Sequence, residues 1–263
     1  MVNSQPQTVL ITGASGGIGY EFAKLFAKDH YNLVLVARNA AKLTQIANEL
    51  QRQFGVSVKT VVLDLTFPTA PRTLFDTLQR ENVTVDILIN NAGYGVFGEF
   101  SKMPVEEIAG QIQLNITSLT ELTRLFVVPM IECKRGRILN VASVAGFQAG
   151  PLMAVYYATK AYVILFSEAI ANELAGSGVT VTCLCPGATD TGFQGRAGIE
   201  ETLLFKLLRP MDAKTVARDG HRALMSGKTL TISGFRNRLL AESVRFSPRK
   251  LVTAISRKVL DKA

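Results

Sequence analysis

The chain has 263 residues, of which 48% are hydrophobic and 19% charged, and its mean hydropathy is +0.21. This composition excludes a generally disordered or fibrous chain, because enough apolar residues are present to fill a core. Three cysteines, an odd number, disfavour a disulfide scaffold and favour a reducing compartment. The N-terminus lacks the features of a signal peptide and no segment reaches about 18 apolar residues, so we expect a cytoplasmic protein.

The positive charge is concentrated near the C-terminus. The net charge is +8, and residues 235–263 contain eight lysines and arginines but only two acids. The rest of the chain is therefore nearly neutral, and it contains neither tryptophan nor a basic recognition helix. We expect no binding to nucleic acid.

Apolar strands alternate with helical segments along the chain. Strands at residues 8–13, 32–37 and 58–65 are followed by helices at residues 17–28, up to about 53, and 70–80. Further strands begin at residues 85, 136, 178 and 228, and a long helix covers about residues 155–175. Strands that are apolar throughout are typical of parallel sheets buried on both faces. We therefore predict one α/β domain at residues 1–234, a Rossmann-like doubly wound parallel sheet of about seven strands with helices on both faces.

Glycines mark the turn between the first strand and the first helix, at Gly13, Gly16, Gly17 and Gly19. Glycine lets a phosphate approach the backbone, and the helix N-terminus offers unpaired N–H groups and a positive dipole end. The turn predicts a dinucleotide site, although a tight connection between strand and helix has the same signature.

Arg38 bears on the choice of cofactor. The second strand ends Val36-Ala37-Arg38-Asn39, without the acid that would hold a ribose 2′-hydroxyl, whereas an arginine can pair with a 2′-phosphate. NADP is favoured over NAD, and an ordinary solvated arginine at a strand end is the alternative.

Several motifs together resemble the short-chain dehydrogenase/reductase family over about residues 8–232. They are the sequence TGASGGIG from Thr12, Asp64, the run from Asn90 to Gly93, Ser143, and Tyr156 four residues before Lys160. The resemblance implies a catalytic tetrad of Asn115, Ser143, Tyr156 and Lys160. The expected cofactor-binding residues are Gly13, Ser15, Gly17, Ile18, Gly19, Arg38, Asp64, Asn91, Ala92, Gly93, Tyr156, Lys160, Pro186, Gly187, Thr189 and Thr191. Gly16 departs from NADP-preferring relatives, which often carry a basic residue there.

The proposed tetrad suits carbonyl reduction. Tyr156 would exchange a proton with the substrate oxygen, and Lys160, on the same helix face, would lower the high pKa of that phenol. Ser143 would hydrogen-bond the substrate oxygen, and the resemblance implies that Asn115 supports a water path to Lys160. Tyr157 competes with Tyr156 and is separated from it only by the four-residue step to Lys160.

Two members of the predicted site have simpler explanations. Asn115 could bond a backbone carbonyl within a helix, and Asp64 could begin a turn before Phe67 and Pro68. The two histidines and three cysteines of the chain have no metal-ligand spacing, so we expect no metal.

Apolar segments follow the strands, at residues 94–100, 144–154 and 188–211. They predict a hydrophobic pocket with a mobile lid, hence a lipophilic ketone or aldehyde. An amphipathic core helix at residues 203–208 is an equal alternative. The aromatic and aliphatic residues behind this prediction are Phe147, Phe193, Leu203, Leu204, Phe205 and Leu207.

Residues 235–263 form a basic amphipathic extension. After Pro248, a helix would carry Leu251, Val252, Ile255 and Val259 along one side, with basic residues flanking them. Such a helix can lie on an anionic membrane, cover a subunit boundary or shield its own core.

The sequence thus predicts an NADP(H)-dependent oxidoreductase that reversibly reduces a hydrophobic carbonyl. The resemblance implies a homo-oligomer, a dimer or a tetramer. An NAD-dependent secondary-alcohol dehydrogenase is the second reading, and a dinucleotide-sensing or membrane-adaptor protein without turnover is the third.

Overall fold

The computed structural model describes residues 6–198 and 210–261. Its centre is a seven-stranded sheet in the order β3-β2-β1-β4-β5-β6-β9, and every neighbouring pair of strands is parallel. The strands are β1 (Thr8–Thr12), β2 (Asn32–Ala37), β3 (Val58–Val62), β4 (Ile87–Asn90), β5 (Gly136–Val141), β6 (Val179–Cys185) and β9 (Leu230–Ile232). A separate pair is formed by β7 (Thr189–Asp190) and β8 (Met211–Asp212). The predicted parallel sheet of seven strands is confirmed.

Helices cover both faces of the sheet. They are α1 (Gly17–Lys28), α2 (Ala40–Phe54), α3 (Ala70–Arg80), α4 (Val105–Ile112), α5 (Leu119–Glu132), α6 (Ala154–Glu173), α7 (Phe193–Ala197), α8 (Ala213–Met225), α9 (Phe235–Ser243) and α10 (Arg249–Leu260). The strand β1 shows how the layers form. Val9 packs in the cluster of Phe22 from α1, whereas Leu10 packs in the cluster of Leu74 from α3, because successive side chains of a strand point to opposite faces.

The direction of strand addition reverses between β1 and β4. From β1 the chain adds β2 and β3 on one side, and then β4, β5 and β6 on the other. Loops at the carboxyl ends diverge at such a reversal and leave a crevice, which is where open α/β sheets bind ligands. Gly13 and Asn91 meet at this point, and the Asn91 side chain donates 2.9 and 3.2 Å hydrogen bonds to the carbonyls of Thr12 and Gly13.

The C-terminal segment folds back onto the body, and the buried residues of its second helix lie outside the predicted apolar side. In α10 the buried residues are Ser256 and Leu260, while Leu251 and Ile255 are more than half exposed. Leu260 packs in one apolar cluster with Met153 and Tyr157. The side facing the body therefore includes a serine, which lies near the Tyr157 phenol. Among the residues that the structure describes, no helix combines the length and the apolar character needed to cross a bilayer.

Candidate active site

Lys160 is held in place at the end of β5. It lies on α6 with only 5% of its surface exposed, and its ammonium donates a 2.8 Å hydrogen bond to the Val141 carbonyl. The Nζ atom lies 5.8 Å from the centre of the Tyr156 ring. The four-residue step on one helix face therefore brings the two predicted catalytic side chains together at the carboxyl edge of the sheet.

Tyr156 and Tyr157 have different surroundings. The Tyr156 ring lies 5.2 Å from the Phe193 ring and packs so closely on Gly95 that a Cβ there would lie 2.8 Å from it. Tyr157 is buried against Gly150 and packs in the cluster that contains Leu260. Tyr156 is thus the tyrosine beside Lys160, whereas Tyr157 belongs to the packing under the C-terminal helix.

The pKa values in this pair differ from the sequence-based expectation. Burial raises the pKa of Tyr156 above its usual value near 10, and the Ser143 hydroxyl beside the phenol opposes this increase only in part. Burial also lowers the pKa of Lys160 to about 8. Burial is the largest influence on the pKa of both side chains, and the net pKa of Tyr156 is therefore raised, whereas the sequence predicts that Lys160 lowers it.

Ser143 joins the end of β5 to the segment after β6. Its hydroxyl accepts a 3.1 Å hydrogen bond from the Ala145 amide and donates a 3.4 Å bond to the Pro186 carbonyl. It begins the short turn Val144–Phe147 and lies next to the Tyr156 phenol. These contacts place Ser143, Tyr156 and Pro186 around one point of the crevice.

Asn115 lies in a π-helical turn, Gln113–Ser118, between α4 and α5. Its amide accepts a 3.1 Å bond from the Tyr94 amide and donates 2.8 and 3.1 Å bonds to the Tyr94 carbonyl and the Thr159 hydroxyl. It therefore ties the loop after β4 to α6, instead of bonding only within its own helix. A Cβ at Gly93 would lie 3.1 Å from Asn115 Oδ1 and 3.4 Å from Lys160 Nζ, so both groups face this glycine. The water path to Lys160 stays a prediction.

The loop after β4 is bonded to the end of β1. The Thr12 hydroxyl accepts 3.0 Å bonds from the amides of both Asn91 and Ala92. The neighbouring Asn90 side chain donates 3.0 Å bonds to Thr123 of α5 and to Asn140 of the adjacent strand β5. These bonds fix the loop from Asn90 to Gly93 beside the glycine turn, as the sequence predicts.

The glycine turn has the shape of a phosphate cradle. Gly13 and Gly17 have φ values of +67° and +52°, which favour glycine, and a Cβ at Gly19 would lie 2.4 Å from the Gly13 carbonyl oxygen. Within the described residues, no atom beyond the two chain neighbours lies within 4 Å of a Cβ position at Gly16, which faces open space. Gly16 precedes α1 and offers no capping side chain, so the first N–H groups of the helix lack side-chain acceptors. These features fit the pyrophosphate of a dinucleotide, and the half-buried Ser15 and Ile18 flank them.

The segment after β6 reaches the glycine turn. A Cβ at Gly17 would lie 2.9 Å from the Thr191 methyl group, and the Thr189 hydroxyl donates a 2.9 Å bond to the Gly187 carbonyl. Gly187 itself packs on Asn237 of α9, which leaves no room for a Cβ. The predicted residues Pro186, Gly187, Thr189 and Thr191 therefore border the same crevice as the cradle.

Arg38 and Asp64 lie together at the ends of β2 and β3. The Arg38 guanidinium is 3.6 Å from the Asp64 carboxylate and its side chain is 53% exposed. Burial opposes ionisation of Asp64, but hydrogen bonds from Thr66 and the charge of Arg38 outweigh it and lower the pKa of the carboxyl group. Asp64 also accepts hydrogen bonds from the Thr66 amide and hydroxyl. It therefore stabilises the turn before Phe67, which is the alternative role that the sequence offers for this residue. Arg38 remains accessible to a 2′-phosphate at this corner.

An apolar cluster surrounds Tyr156. It contains Phe97, Leu152, Met153, Phe193 and Leu260. Phe147, predicted to line the pocket, packs with Leu119 and Cys183 in a different cluster, and its role in the pocket stays a prediction. Leu203, Leu204, Phe205 and Leu207 lie outside the described residues.

Two contributors to the site were not found from the sequence. Gly95 packs on the Tyr156 ring, and its only signal is the glycine spacing that follows the fourth strand. Leu260 reaches the same cluster from 100 residues away, which local periodicity cannot show. Within residues 6–198 and 210–261, no group of three or more His, Cys, Asp or Glu side chains is placed to bind a metal ion.

Comparison with known proteins agrees with this geometry. The sequence model of a family described as short chain dehydrogenase matches residues 7–202. Ketoacyl reductase HetN of Nostoc sp. is 35% identical over 181 residues, which cover 69% of this chain and 63% of HetN. A very-long-chain 3-oxoacyl-CoA reductase of Phaeosphaeria nodorum is 37% identical over 179 residues, which cover 66% of this chain and 52% of that protein. The chain therefore spans between half and two thirds of the length of these two relatives.

A solved structure extends the likeness over nearly the whole chain. A short-chain dehydrogenase from Sphingobium yanoikuyae, in complex with NADPH, has a TM-score of 0.82 and 35% sequence identity. The match covers 91% of this chain and 94% of that one. The likeness in structure therefore covers more of this chain than the matches to the two reductases do.

Proposed function

This chain belongs to the short-chain dehydrogenase/reductase family, and we propose that it uses NADPH to reduce a hydrophobic ketone or aldehyde reversibly to an alcohol. It is an oxidoreductase whose fold binds a nicotinamide dinucleotide. The observation that carries the proposal is the position of the Tyr156 and Lys160 pair inside an apolar cluster at the edge of the crevice.

Tyr156 and Lys160 have separate roles in the proposed reduction. The nicotinamide supplies the hydride when it is bound. The Tyr156 phenol gives its proton to the carbonyl oxygen, which becomes the hydroxyl of the alcohol. Because burial disfavours the phenolate left behind, the Lys160 ammonium is the protein group that can offset its charge. In the reverse direction the phenolate takes the proton back.

Ser143 and the apolar wall orient the substrate. The Ser143 hydroxyl lies next to the Tyr156 phenol and can donate to the same carbonyl oxygen, which holds that oxygen within reach of the proton. Phe97, Leu152 and Phe193 offer apolar surface for the remainder of the molecule and exclude water from the reacting groups. The names of the two similar reductases make a 3-oxoacyl chain the first candidate within this substrate class.

The preference for NADPH rests on Arg38. Its exposed guanidinium lies beside the turn of Asp64, at the end of the crevice opposite the tyrosine, and can pair with a 2′-phosphate. The NADPH complex of the Sphingobium protein supports the same choice. An NAD-dependent alcohol dehydrogenase is the alternative, because the Asp64 carboxylate already pairs with Arg38 and so weakens its attraction for a 2′-phosphate.

The experiment is a screen for NADPH oxidation over ketones, aldehydes and 3-oxoacyl thioesters of graded chain length, repeated with NADH. We expect kcat/KM to rise with chain length and to be higher with NADPH. Tyr156→Phe is the control for reduction that does not use the site. Binding of NADPH without consumption on any carbonyl would instead identify a dinucleotide sensor, and faster alcohol oxidation with NAD would identify the alternative dehydrogenase.

A further inference from the structure

The C-terminal segment exposes a concentrated set of apolar side chains. More than half of the surface of each of six large residues is exposed, and Phe235 and Phe246 reach 81% and 90%. The six residues are Phe235, Leu239, Leu240, Phe246, Leu251 and Ile255. The other exposed large hydrophobic residues of the described chain are spread between residues 62 and 165. An exposed apolar group of this size marks an interaction surface.

The helix geometry directs these side chains away from the body. In α9, Phe235 and Leu239 are one turn apart and lie on the side opposite the buried Ala241. In α10, Leu251 and Ile255 are one turn apart and lie opposite Leu260. Each helix therefore uses one side for packing and leaves an apolar stripe on the other.

Unpaired positive charge surrounds both stripes. Arg236, Arg238, Arg249, Lys250 and Lys258 are exposed, and none has an acidic partner within 4 Å in the described part of the chain. Arg245 and Arg257 form ion pairs within the same segment, at 3.9 Å to Glu242 and 3.2 Å to Asp261, and the charge of Arg257 also lowers the pKa of Glu99 in the body. The partner of this surface must therefore accept apolar side chains and carry negative charge.

A groove beside the second stripe fits the same chemistry. It has a volume of about 490 Å³ between Pro151 and α10, and three cations line it, Arg249, Lys250 and Arg257. Ala254 also lines it and lies three residues from Leu251, on the same side of the helix as the stripe. An anionic headgroup could enter this groove while neighbouring apolar side chains contact acyl chains.

We propose that the segment from Phe235 to Asp261 attaches the protein peripherally to an anionic lipid bilayer. Phe235, Phe246 and the two stripes enter the boundary between headgroups and acyl chains, and the arginines and lysines contact the phosphates. A second copy of the chain fits this surface less well, because two such segments would bring net charges of +5 together. The proposal goes beyond the catalytic function and does not depend on it.

Co-sedimentation of the full chain with vesicles tests the proposal. The vesicles consist of phosphatidylcholine alone or of phosphatidylcholine mixed with phosphatidylglycerol. We expect binding to the mixed vesicles only, with weakening as salt is raised. The double variant Phe235→Ser, Phe246→Ser keeps every charge and should reduce the partition coefficient by about tenfold or more. The matched control is Phe67→Ser, Phe100→Ser, which alters two phenylalanines that are 63% and 62% exposed elsewhere.

Arg249→Gln, Lys250→Gln tests the charge separately and should weaken binding to mixed vesicles while circular dichroism shows an intact fold. Equal binding to both kinds of vesicle, or equal losses in the test and control phenylalanine pairs, would overturn the proposal. The proposal also fails if the wild-type protein binds neither kind of vesicle. A further result in that case would be a Phe235→Ser, Phe246→Ser variant that elutes as a smaller species in size-exclusion chromatography. That result would assign the surface to contact between copies of the chain.

Discussion

The Lys160 ammonium lies 5.8 Å from the centre of the Tyr156 ring and is anchored by its 2.8 Å bond to the Val141 carbonyl. This bond connects the helix α6 to the end of β5 and leaves the lysine little freedom. The sheet therefore fixes the position of Lys160 relative to Tyr156, which lies four residues earlier on the same helix.

Replacing Tyr156 by phenylalanine removes the proton donor and preserves the ring that packs on Gly95 and Phe193. We expect kcat/KM for carbonyl reduction to fall by roughly 100- to 10,000-fold, the usual contribution of a positioned general acid. The dissociation constant for NADPH, measured by fluorescence, should change little. Tyr157→Phe is the matched control and should keep most of the activity. Comparable losses in both variants would contradict the assignment of Tyr156.

The pH dependence of reduction should report Lys160. Burial lowers the pKa of this lysine to about 8, so its ammonium is charged below that pH and neutral above it. Burial raises the pKa of Tyr156, so the phenol stays protonated through the same range. We therefore expect kcat/KM for reduction to decline as the pH rises through about 8, because the phenolate formed during reaction loses its counter-charge. A profile that stays level well beyond this pH would show that the charge of Lys160 is not needed.

Arg38→Asp should reverse the cofactor preference. The variant removes the guanidinium available to a 2′-phosphate and places a carboxylate where it repels that group. We expect NADPH binding to weaken by roughly 10- to 100-fold, the value of a charge-assisted hydrogen bond, with NADH binding unchanged or stronger. Asp64→Asn is the control, because the amide oxygen can still accept from Thr66. It should affect both cofactors alike, and an unchanged ratio in Arg38→Asp would remove the basis for NADP.

The sheet and the crevice were predictable because their signals are local. Parallel strands that are buried on both faces appear as continuous apolar runs, and the glycine turn has to stand where β1 meets α1. Helix α1 spans the predicted residues, and α6 begins and ends within two residues of the prediction. The four-residue step to Lys160 was enough to choose Tyr156 over Tyr157.

The remainder depended on contacts between distant segments. Helical periodicity gave α10 an apolar side that includes Leu251 and Ile255, but the body contacts Ser256 and Leu260 instead. Leu260 packs in one cluster with Tyr157, which lies about 100 residues earlier in the chain. Phe147 and Phe193 likewise look equivalent in the sequence, but the two rings pack in different clusters.

Two glycines of the same turn should respond differently to alanine. A Cβ at Gly19 would lie 2.4 Å from the Gly13 carbonyl oxygen and 2.6 Å from the Asn91 amide, so the backbone must shift. At Gly16 the φ is 176°, and in the part of the chain that the structure describes no atom beyond the adjacent residues lies within 4 Å of a Cβ position. We expect Gly19→Ala to lower the free energy of unfolding by about 1–3 kcal/mol or more, as overpacking does, and Gly16→Ala to leave it nearly unchanged. Chemical denaturation measures both, and equal stabilities would contradict the close packing of the turn.

Two leucine-sized side chains on α10 should separate the two roles of that helix. Leu260 is 1% exposed in the cluster that contains Tyr156, whereas Ile255 is 55% exposed on the opposite side. Leu260→Ala leaves a cavity, so we expect a loss of about 2–5 kcal/mol in unfolding free energy and a higher KM for long-chain carbonyls. Ile255→Ala should change stability by less than about 0.5 kcal/mol, because it lies on the surface, yet weaken binding to anionic vesicles. Denaturation, steady-state kinetics and co-sedimentation on the same two variants give the comparison. If Ile255→Ala destabilises the fold as much as Leu260→Ala, the exposed stripe is part of the packed core and both assignments for α10 are wrong.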